Sequence, residues 1–373
     1  MRRLGTIAAL CLAAVITAAG IYTAGAQDIS HPVQQALQSI YKIPSVTGAE
    51  STMADKIASM LHGRSEKDRL GSVIFTTGSG GRHLVFAAGM DEVGFIISGI
   101  QADGMLNMDR VVPAPRPLFD FNQFGHPLLI WTQKGRLEGV LALPSLHTAS
   151  REFRRDPVSH LTLERALIDI GADTGAEARE RGVSMLDPVT PWHDISVLAG
   201  DKRAGYALGD KTAAAVLLAA AGKKGGSSSK LSFIWMAQAK FPFRRVRPAG
   251  SLGAVSTARN FEADLYVIIG TIPAESTEPG IQQGKGPVIV AGGEESAQWK
   301  EEVENAAGRI FTALQHTEEY QSPILNSFAH EGKRTVGLFL PVLFRGTSSE
   351  AVDFQDVKAL FRLVLELAGL GEE

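Results

Sequence analysis

His83-Leu84-Val85-Phe86-Ala87-Ala88, running into Gly89-Met90-Asp91-Glu92, decides how the chain is read. Six nearly continuous apolar positions fit a parallel strand buried on both faces, where no solvent side imposes alternation. The weaker run at 72–76 reads as a neighbouring strand. The Gly78-Ser79-Gly80-Gly81 link between the two reads as a hairpin-type turn, because it lacks the G-K-S/T ending of a phosphate loop. Upstream, Ile43 to Glu50 forms a turn, followed by Met53, Ile57, Met60 and Leu61 at helical spacing, an amphipathic helix expected to pack on the sheet.

Downstream, between about 93 and 187, short β-like runs such as Pro127 to Trp131 and Gly139 to Leu143 are broken by Pro and Gly, which suggests a β-rich insertion. From Asp210 helices and strands alternate again. Ala213 to Ala221 is helical, Gly225 to Ser229 a flexible turn, and Leu231 to Ala237, Ala263 to Ile269 and Val288 to Ala291 are strands. The last segment sets Val357, Leu360, Phe361, Val364, Leu365 and Ala368 on one helical stripe, with Lys358, Arg362 and Glu366 facing water. The pattern implies an α/β sandwich formed by 27–92 and 188–373 around an inserted domain at 93–187.

The 373 residues are 45% hydrophobic and 21% charged, the balance of a globular chain too long for one ordinary core. Arg2 and Arg3 precede an uncharged stretch ending in Ala24-Gly25-Ala26, the layout of a cleavable export signal covering 1–26. The rival is an uncleaved membrane anchor, since the stretch is long enough to span a bilayer. Cleavage would leave a periplasmic or extracellular protein with no membrane attachment. It would take the formal charge of −3 to about −5, which recruits neither nucleic acid nor an anionic membrane. The single cysteine, Cys11, lies in this segment, so the mature chain has no disulfide and no thiolate ligand.

Several strings, in order from about residue 43 to the C-terminus, resemble the glutamyl-aminopeptidase family of dinuclear zinc peptidases, which includes tetrahedral aminopeptidases and members once called endoglucanases. Pro44-Ser45-Val46-Thr47-Gly48 resembles its P-S-x-S-G string, and Asp68-Arg69-Leu70-Gly71-Ser72-Val73-Ile74 its D-x-L-G-N-V-I string. Leu167 to Ala172 resembles I-D-I-G-A, Gly284 to Ile289 resembles G-K-G-P-x-I, and Glu350 to Phe354 resembles E-V-V-D-L. The resemblance implies a zinc-peptidase-like α/β sandwich with an inserted β-barrel-like domain, which makes oligomer contacts in relatives.

A dinuclear hydrolase needs His and carboxylate ligands, a bridging carboxylate and a free Glu as general base. Position by position, the resemblance puts none of them here. The A-x-H-M-D-E string reads Ala87 to Glu92, with Gly89 in place of the His while Asp91 stays. The bridging Asp position is Gly209, and Asp210, one residue on, is expected to point elsewhere. The Q-E-E pair is replaced by Ala239 and Lys240, and the last carboxylate and last His by Gly270 and Gly346. Single glycines are usually there for backbone freedom. Four at ligand positions imply that no metal is held.

No other constellation replaces the site. The nine histidines form no H-x-x-x-H or H-E-x-x-H pair, no G-x-S-x-G elbow occurs, and His193 beside Asp194 reads as a satisfied loop residue. The remaining candidates for binding are Lys240 and the Arg244, Arg245 and Arg247 of a loop that the resemblance makes longer than the corresponding family turn, and these arginines either form a carboxylate-binding lip or are simply solvated. Asp91, Asp210 and Glu350 supply residual negative charge, with which Lys240 either pairs or from which it reaches out to solvent. The expectation is an exported, non-catalytic homologue with a binding or scaffold role. Its partners would be peptides or a paralogous peptidase subunit, with self-association open and no cofactor. The alternative is a metal-dependent aminopeptidase, in which case zinc or cobalt is the cofactor.

Overall fold

The computed structural model describes residues 31–61, 65–145, 147–223, 227–274, 280–291, 296–318 and 320–371. The expected export signal, Cys11 and the Gly225-Gly226 part of the expected turn lie outside the described residues. Three strands come first: β1 (Ser65–Lys67), β2 (Val73–Thr77) and β3 (His83–Gly89). Next are β4 (Phe95–Ile100), β5 (Leu106–Arg110), β6 (Pro127–Thr132), β7 (Gly135–Leu141), β8 (Leu167–Asp169) and β9 (Pro188–Pro191). The series ends with β10 (Ser196–Val197), β11 (Lys202–Gly205), β12 (Lys230–Met236), β13 (Leu265–Pro273), β14 (Val288–Ala291), β15 (Gln315–His316), β16 (Thr335–Leu343) and β17 (Glu350–Asp353).

Among the described residues, one mixed sheet runs β1-β2-β12-β3-β13-β16-β17-β11-β10, with β14 and β15 attached beside β16. Its four central strands, β12, β3, β13 and β16, are mutually parallel. The side chains of β3 explain its unbroken apolar run. Leu84, Phe86 and Ala88 enter one core, while Val85 and Ala87 enter a second on the opposite face. Helices Pro32–Ile40, Ser51–Met60, Leu208–Ala221 and Phe354–Ala368 cover the first face. Leu252–Asn260 and Pro323–His330 cover the second.

The helix Leu208–Ala221 is buried almost all round, and its Ala-rich composition lets neighbours approach closely. Trp235 Nε1 donates to its Ala214 carbonyl at 3.0 Å. The final helix buries the expected stripe, is N-capped by Asp353 Oδ1 accepting from the Gln355 amide, and stops at left-handed Gly369.

Strands β4 to β9 close into a barrel in the order β4-β5-β8-β7-β6-β9. Phe95, Ile97, Leu106, Met108, Leu128, Ile130, Leu141, Ile168 and Val189 form its interior. The barrel ends at Pro191 rather than 187. The Pro188 to Pro191 segment, with a proline at each end, lacks two amide donors and so does not look like a strand in sequence, yet it pairs with both β4 and β6.

The glycine-rich link at 78–82 is not a hairpin turn. Strand β12 lies between β2 and β3, antiparallel to the first and parallel to the second. A Cβ at Gly80 would come within 1.7 Å of the Ser228 carbonyl oxygen, and one at Gly78 within 2.4 Å of that of Ser229. These glycines let the link cross against the chain leading into β12.

Candidate functional site

Parallel strands gather chain ends on one side of a sheet, and that side is where α/β proteins build their sites. The C-terminal ends of β3, β12, β13 and β16 meet the N-terminus of the helix Leu208–Ala221 there. The barrel closes over them, leaving a cleft of about 480 Å³. Three non-glycine residues at these chain ends hold positive φ: Ala207 at 50°, Gln238 at 52° and Phe344 at 55°. Such conformations persist only where the surroundings impose them, and they concentrate at functional sites.

The floor is fixed by two strings that lie far apart in sequence. The Ser45 amide donates to Glu92 Oε1 at 2.8 Å, the Glu92 amide returns a bond to the Ser45 carbonyl at 2.8 Å, and Thr47 Oγ1 donates to Asp91 Oδ2 at 2.9 Å. Pro44-Ser45-Val46-Thr47-Gly48 is thereby locked onto Met90-Asp91-Glu92. Glu92 is fully buried and also meets His193 Nε2 at 2.9 Å and Lys211 Nζ at 3.3 Å. His193, expected as a loop residue, is thus a buried link from the end of the barrel to the sheet. Burial alone would raise the Glu92 carboxyl, but Lys211, His193 and the Ser45 amide outweigh it and hold it down at about 2.

The positions singled out in sequence converge. Gly89, Gly209, Ala239, Lys240, Gly270 and Gly346 all lie at this end of the sheet, and five of them line the cleft, as does Asp210. Asp210 does not point elsewhere: its Oδ2 accepts from Lys240 Nζ at 2.7 Å, and Thr271 Oγ1 lies 3.4 Å from its Oδ1. Lys240 therefore turns inward rather than reaching for solvent. Burial opposes charge on both partners, yet Lys240 and Arg345 hold the Asp210 carboxyl below its usual range, while Asp210 and Asp91 hold the ammonium above its own.

Asp91 is sealed behind Gly89, with Oδ2 accepting from the Lys240 amide at 2.8 Å and Oδ1 buried without a hydrogen-bond partner. Burial pushes its carboxyl up. Glu350 caps two backbone donors, Gly209 N at 3.1 Å and Gly346 N at 2.8 Å. Burial and the nearby Asp210 charge push it up to about 7.

Arg244, Arg245 and Arg247 are not brought into the cleft. All three are exposed, and their loop offers it Pro242, Ala249 and Gly250 instead. Their charges are better hydrated than buried. The guanidinium that does enter is Arg345, whose Nε donates to Thr271 Oγ1 at 2.9 Å. Sequence reasoning passed over it, although it directly precedes Gly346. Glu50, buried and accepting from the Gln238 amide at 2.9 Å, was also missed.

A zinc pair does not fit this donor set. Among the described residues no three His, Cys, Asp or Glu side chains are grouped to hold a metal ion. The carboxylates present are engaged by an ammonium, a hydroxyl or backbone amides, and two cations already occupy the cleft. The glycines have also been packed against. A Cβ at Gly270 would lie 2.8 Å from the Phe339 ring, and one at Gly209 would lie 2.9 Å from both Thr271 Cγ2 and Val342 Cγ2.

Comparison with known proteins gives this architecture its kin. The chain is 24% identical to a putative aminopeptidase, FrvX, of Escherichia coli K12 over 69% of each chain. It is 23% identical to the lysyl aminopeptidase of Pyrococcus furiosus over 89% of this chain and 95% of that one. Among solved structures, the TET1 peptidase of Pyrococcus horikoshii, whose assembly is described as a tetrahedron or a large octahedral shell, matches with a TM-score of 0.77. The match is at 23% identity and covers 90% of this chain and 99% of that one. The TET aminopeptidase of a marine-sediment Thaumarchaeota archaeon matches with the same TM-score at 23% identity, covering 91% and 97%. The family model for M42 glutamyl aminopeptidases matches residues 71–363, from just before β2 into the final helix and across the whole barrel. With sheet, barrel and cleft all inside that span, this chain belongs to the M42 glutamyl aminopeptidase family.

Proposed function

We propose that the chain is an exported, non-hydrolysing member of its family that keeps the cleft for binding and holds an ion pair in place of a metal pair. The observation that carries this reading is Lys240 Nζ at 2.7 Å from Asp210 in the cleft, with Arg345 beside it. A dinuclear zinc centre, where bound, supplies a hydroxide nucleophile at neutral pH. Here a fixed ammonium and guanidinium repel a dication, and among the described residues lining the cleft no imidazole offers a ligand. The cleft-lining hydroxyl of Thr271 is not activated either: it accepts a bond from the Arg345 guanidinium, and the carboxylate it donates to at 3.4 Å, Asp210, is held below its usual range by Lys240 and Arg345 and is a weak base. What remains is recognition: opposite charges at the floor of a largely apolar cleft. Peptides or an active paralogous subunit are the partners in this reading, and self-association is part of it. The octahedral and tetrahedral shells named for the P. horikoshii relative make assembly a reasonable expectation for the shared fold.

The second reading, a metal-dependent aminopeptidase removing N-terminal residues from peptides, is favoured by kinship, since the curated relatives are described as aminopeptidases. Leucine, lysine and glutamate p-nitroanilides, each with added Zn²⁺, Co²⁺ or Mn²⁺, separate the two. The first reading expects rates at the buffer background. Metal-stimulated turnover that a chelator abolishes establishes the second and overturns the first.

Export rests on the charged start, apolar stretch and Ala24-Gly25-Ala26 site. Protein isolated from the producing cell is expected to begin at Gln27. An intact Met1 in the membrane fraction would contradict cleavage.

A further inference from the structure

The geometry points to a specific occupant of the cleft: the free carboxylate of a short peptide or acylated amino acid with an apolar terminal residue, anchored by Arg345. The inference rests on the non-hydrolysing reading, because it places the ligand's carboxylate where relatives are expected to keep metal.

The charges lining the cleft are Asp210, Lys240, Arg345 and Glu350. Lys240 is engaged by Asp210, and both Glu350 oxygens are engaged by the Gly209 and Gly346 amides. Arg345 alone keeps hydrogen-bonding capacity free, although Asp210 and Glu350 lie near enough to favour its charge. Its Nε is fixed by Thr271 Oγ1 at 2.9 Å, and among the described residues no carboxylate pairs with it and neither Nη has a hydrogen-bond partner. A partly buried guanidinium with its fork open is costly to leave unpaired, and the fork matches the two oxygens of a carboxylate.

Two carboxylates and two cations line the cleft among the described residues, so what Arg345 offers is a free hydrogen-bonding fork rather than surplus positive charge, which suits a singly charged ligand. A phosphate needs more compensation, and the backbone amides at the helix start and the turn that could have served it already belong to Glu350. Tyr206, 3% exposed and also lining the cleft, carries a hydroxyl without a hydrogen-bond partner, a spare donor at the same site. Val112, Pro113 and Phe119 on one side and Ile324 and Phe339 on the other supply apolar wall. About 480 Å³ lies within the range of small-molecule sites.

Titration calorimetry with N-acetyl-Leu-Leu, its C-terminal amide, leucine amide and inorganic phosphate tests this. The acid is expected to bind at least about 10-fold more tightly than its amide, with leucine amide and phosphate weaker still. Arg345→Lys, which keeps the charge and loses the fork, should weaken the acid by about 5- to 10-fold, and Arg345→Gln should reduce it to the level of the amide. Unfolding curves on both variants confirm that they are folded, and Arg345→Lys alone decides the matter if Arg345→Gln is not. Equal affinity for acid and amide, tighter binding of phosphate or leucine amide, or an undiminished Arg345→Lys overturns the inference. So does no binding of the acid at about 10 mM, far above any specific affinity. Hydrolysis of unblocked Leu-Leu is read separately: it overturns the non-hydrolysing reading whether or not the acid binds, whereas a silent acid with no hydrolysis overturns only the carboxylate assignment.

Discussion

Replacing Glu92 with glutamine is expected to cost about 3–5 kcal/mol of folding stability, because it strands a buried ammonium. Lys211 Nζ lies 3.3 Å from Glu92 Oε2 with, among the described residues, only the Ile43 carbonyl and the Ser45 hydroxyl as other partners, and it is 3% exposed. His193 loses its carboxylate at the same time, loosening the link between the barrel's last strand and the floor of the cleft. The pH dependence follows from the depressed carboxyl. Its folded value of about 2 lies below the ordinary 4.5, so its contribution is complete above about 4.5 and drains away as pH falls towards 2. Urea unfolding of the parent should lose stability across that window, while Glu92→Gln should lose less there. A variant within about 1 kcal/mol of the parent at neutral pH would show that the cluster is not the fastening it is taken for.

Rebuilding the family's ligands one at a time should damage the fold without restoring chemistry. Gly270→Asp sets a Cβ 2.8 Å from the Phe339 ring and drives a carboxylate against an apolar wall. A loss of about 2–4 kcal/mol is expected. Gly209→Asp meets Thr271 and Val342 at 2.9 Å, and Gly89→His meets Ala239 Cβ at 2.9 Å, so each should also destabilise. Neither should yield metal-dependent turnover, since the general base is still missing at Ala239. Gly308→Ala is the control: nothing lies within 4 Å of its added Cβ, and in a helix it should be neutral or stabilising by up to about 1 kcal/mol. If Gly270→Asp and Gly209→Asp were tolerated as well as Gly308→Ala, the site would be vacant rather than repacked.

What the sequence disclosed and what it hid separate along the reach of the interactions. Leu84 to Ala88 were legible as a twice-covered strand, and the final helix as an amphipathic one, because period and apolarity are local. The order of strands was not. The hairpin expected between β2 and β3 fails because β12, some 150 residues on, inserts between them, and no local pattern announces such a partner.

The site shows the same division. Gly89, Gly209, Gly270 and Gly346 were found through strings whose family counterparts carry ligands, and the fold gathers them. Arg345 was missed because its aim depends on the turn set by positive φ at Phe344 and Gly346, which is geometry rather than composition. Three arginines in one loop were conspicuous in the sequence. They stay in water because nothing at the cleft repays their dehydration.

The most direct test of the central claim is zinc content. The chain from Gln27 onward, equilibrated with excess Zn²⁺ and then desalted, should retain less than about 0.1 zinc per chain, because a cleft that holds Lys240 and Arg345, with no imidazole among its described lining residues, offers no site of structural or catalytic strength. Two zinc ions retained per chain would contradict the account and restore the aminopeptidase reading.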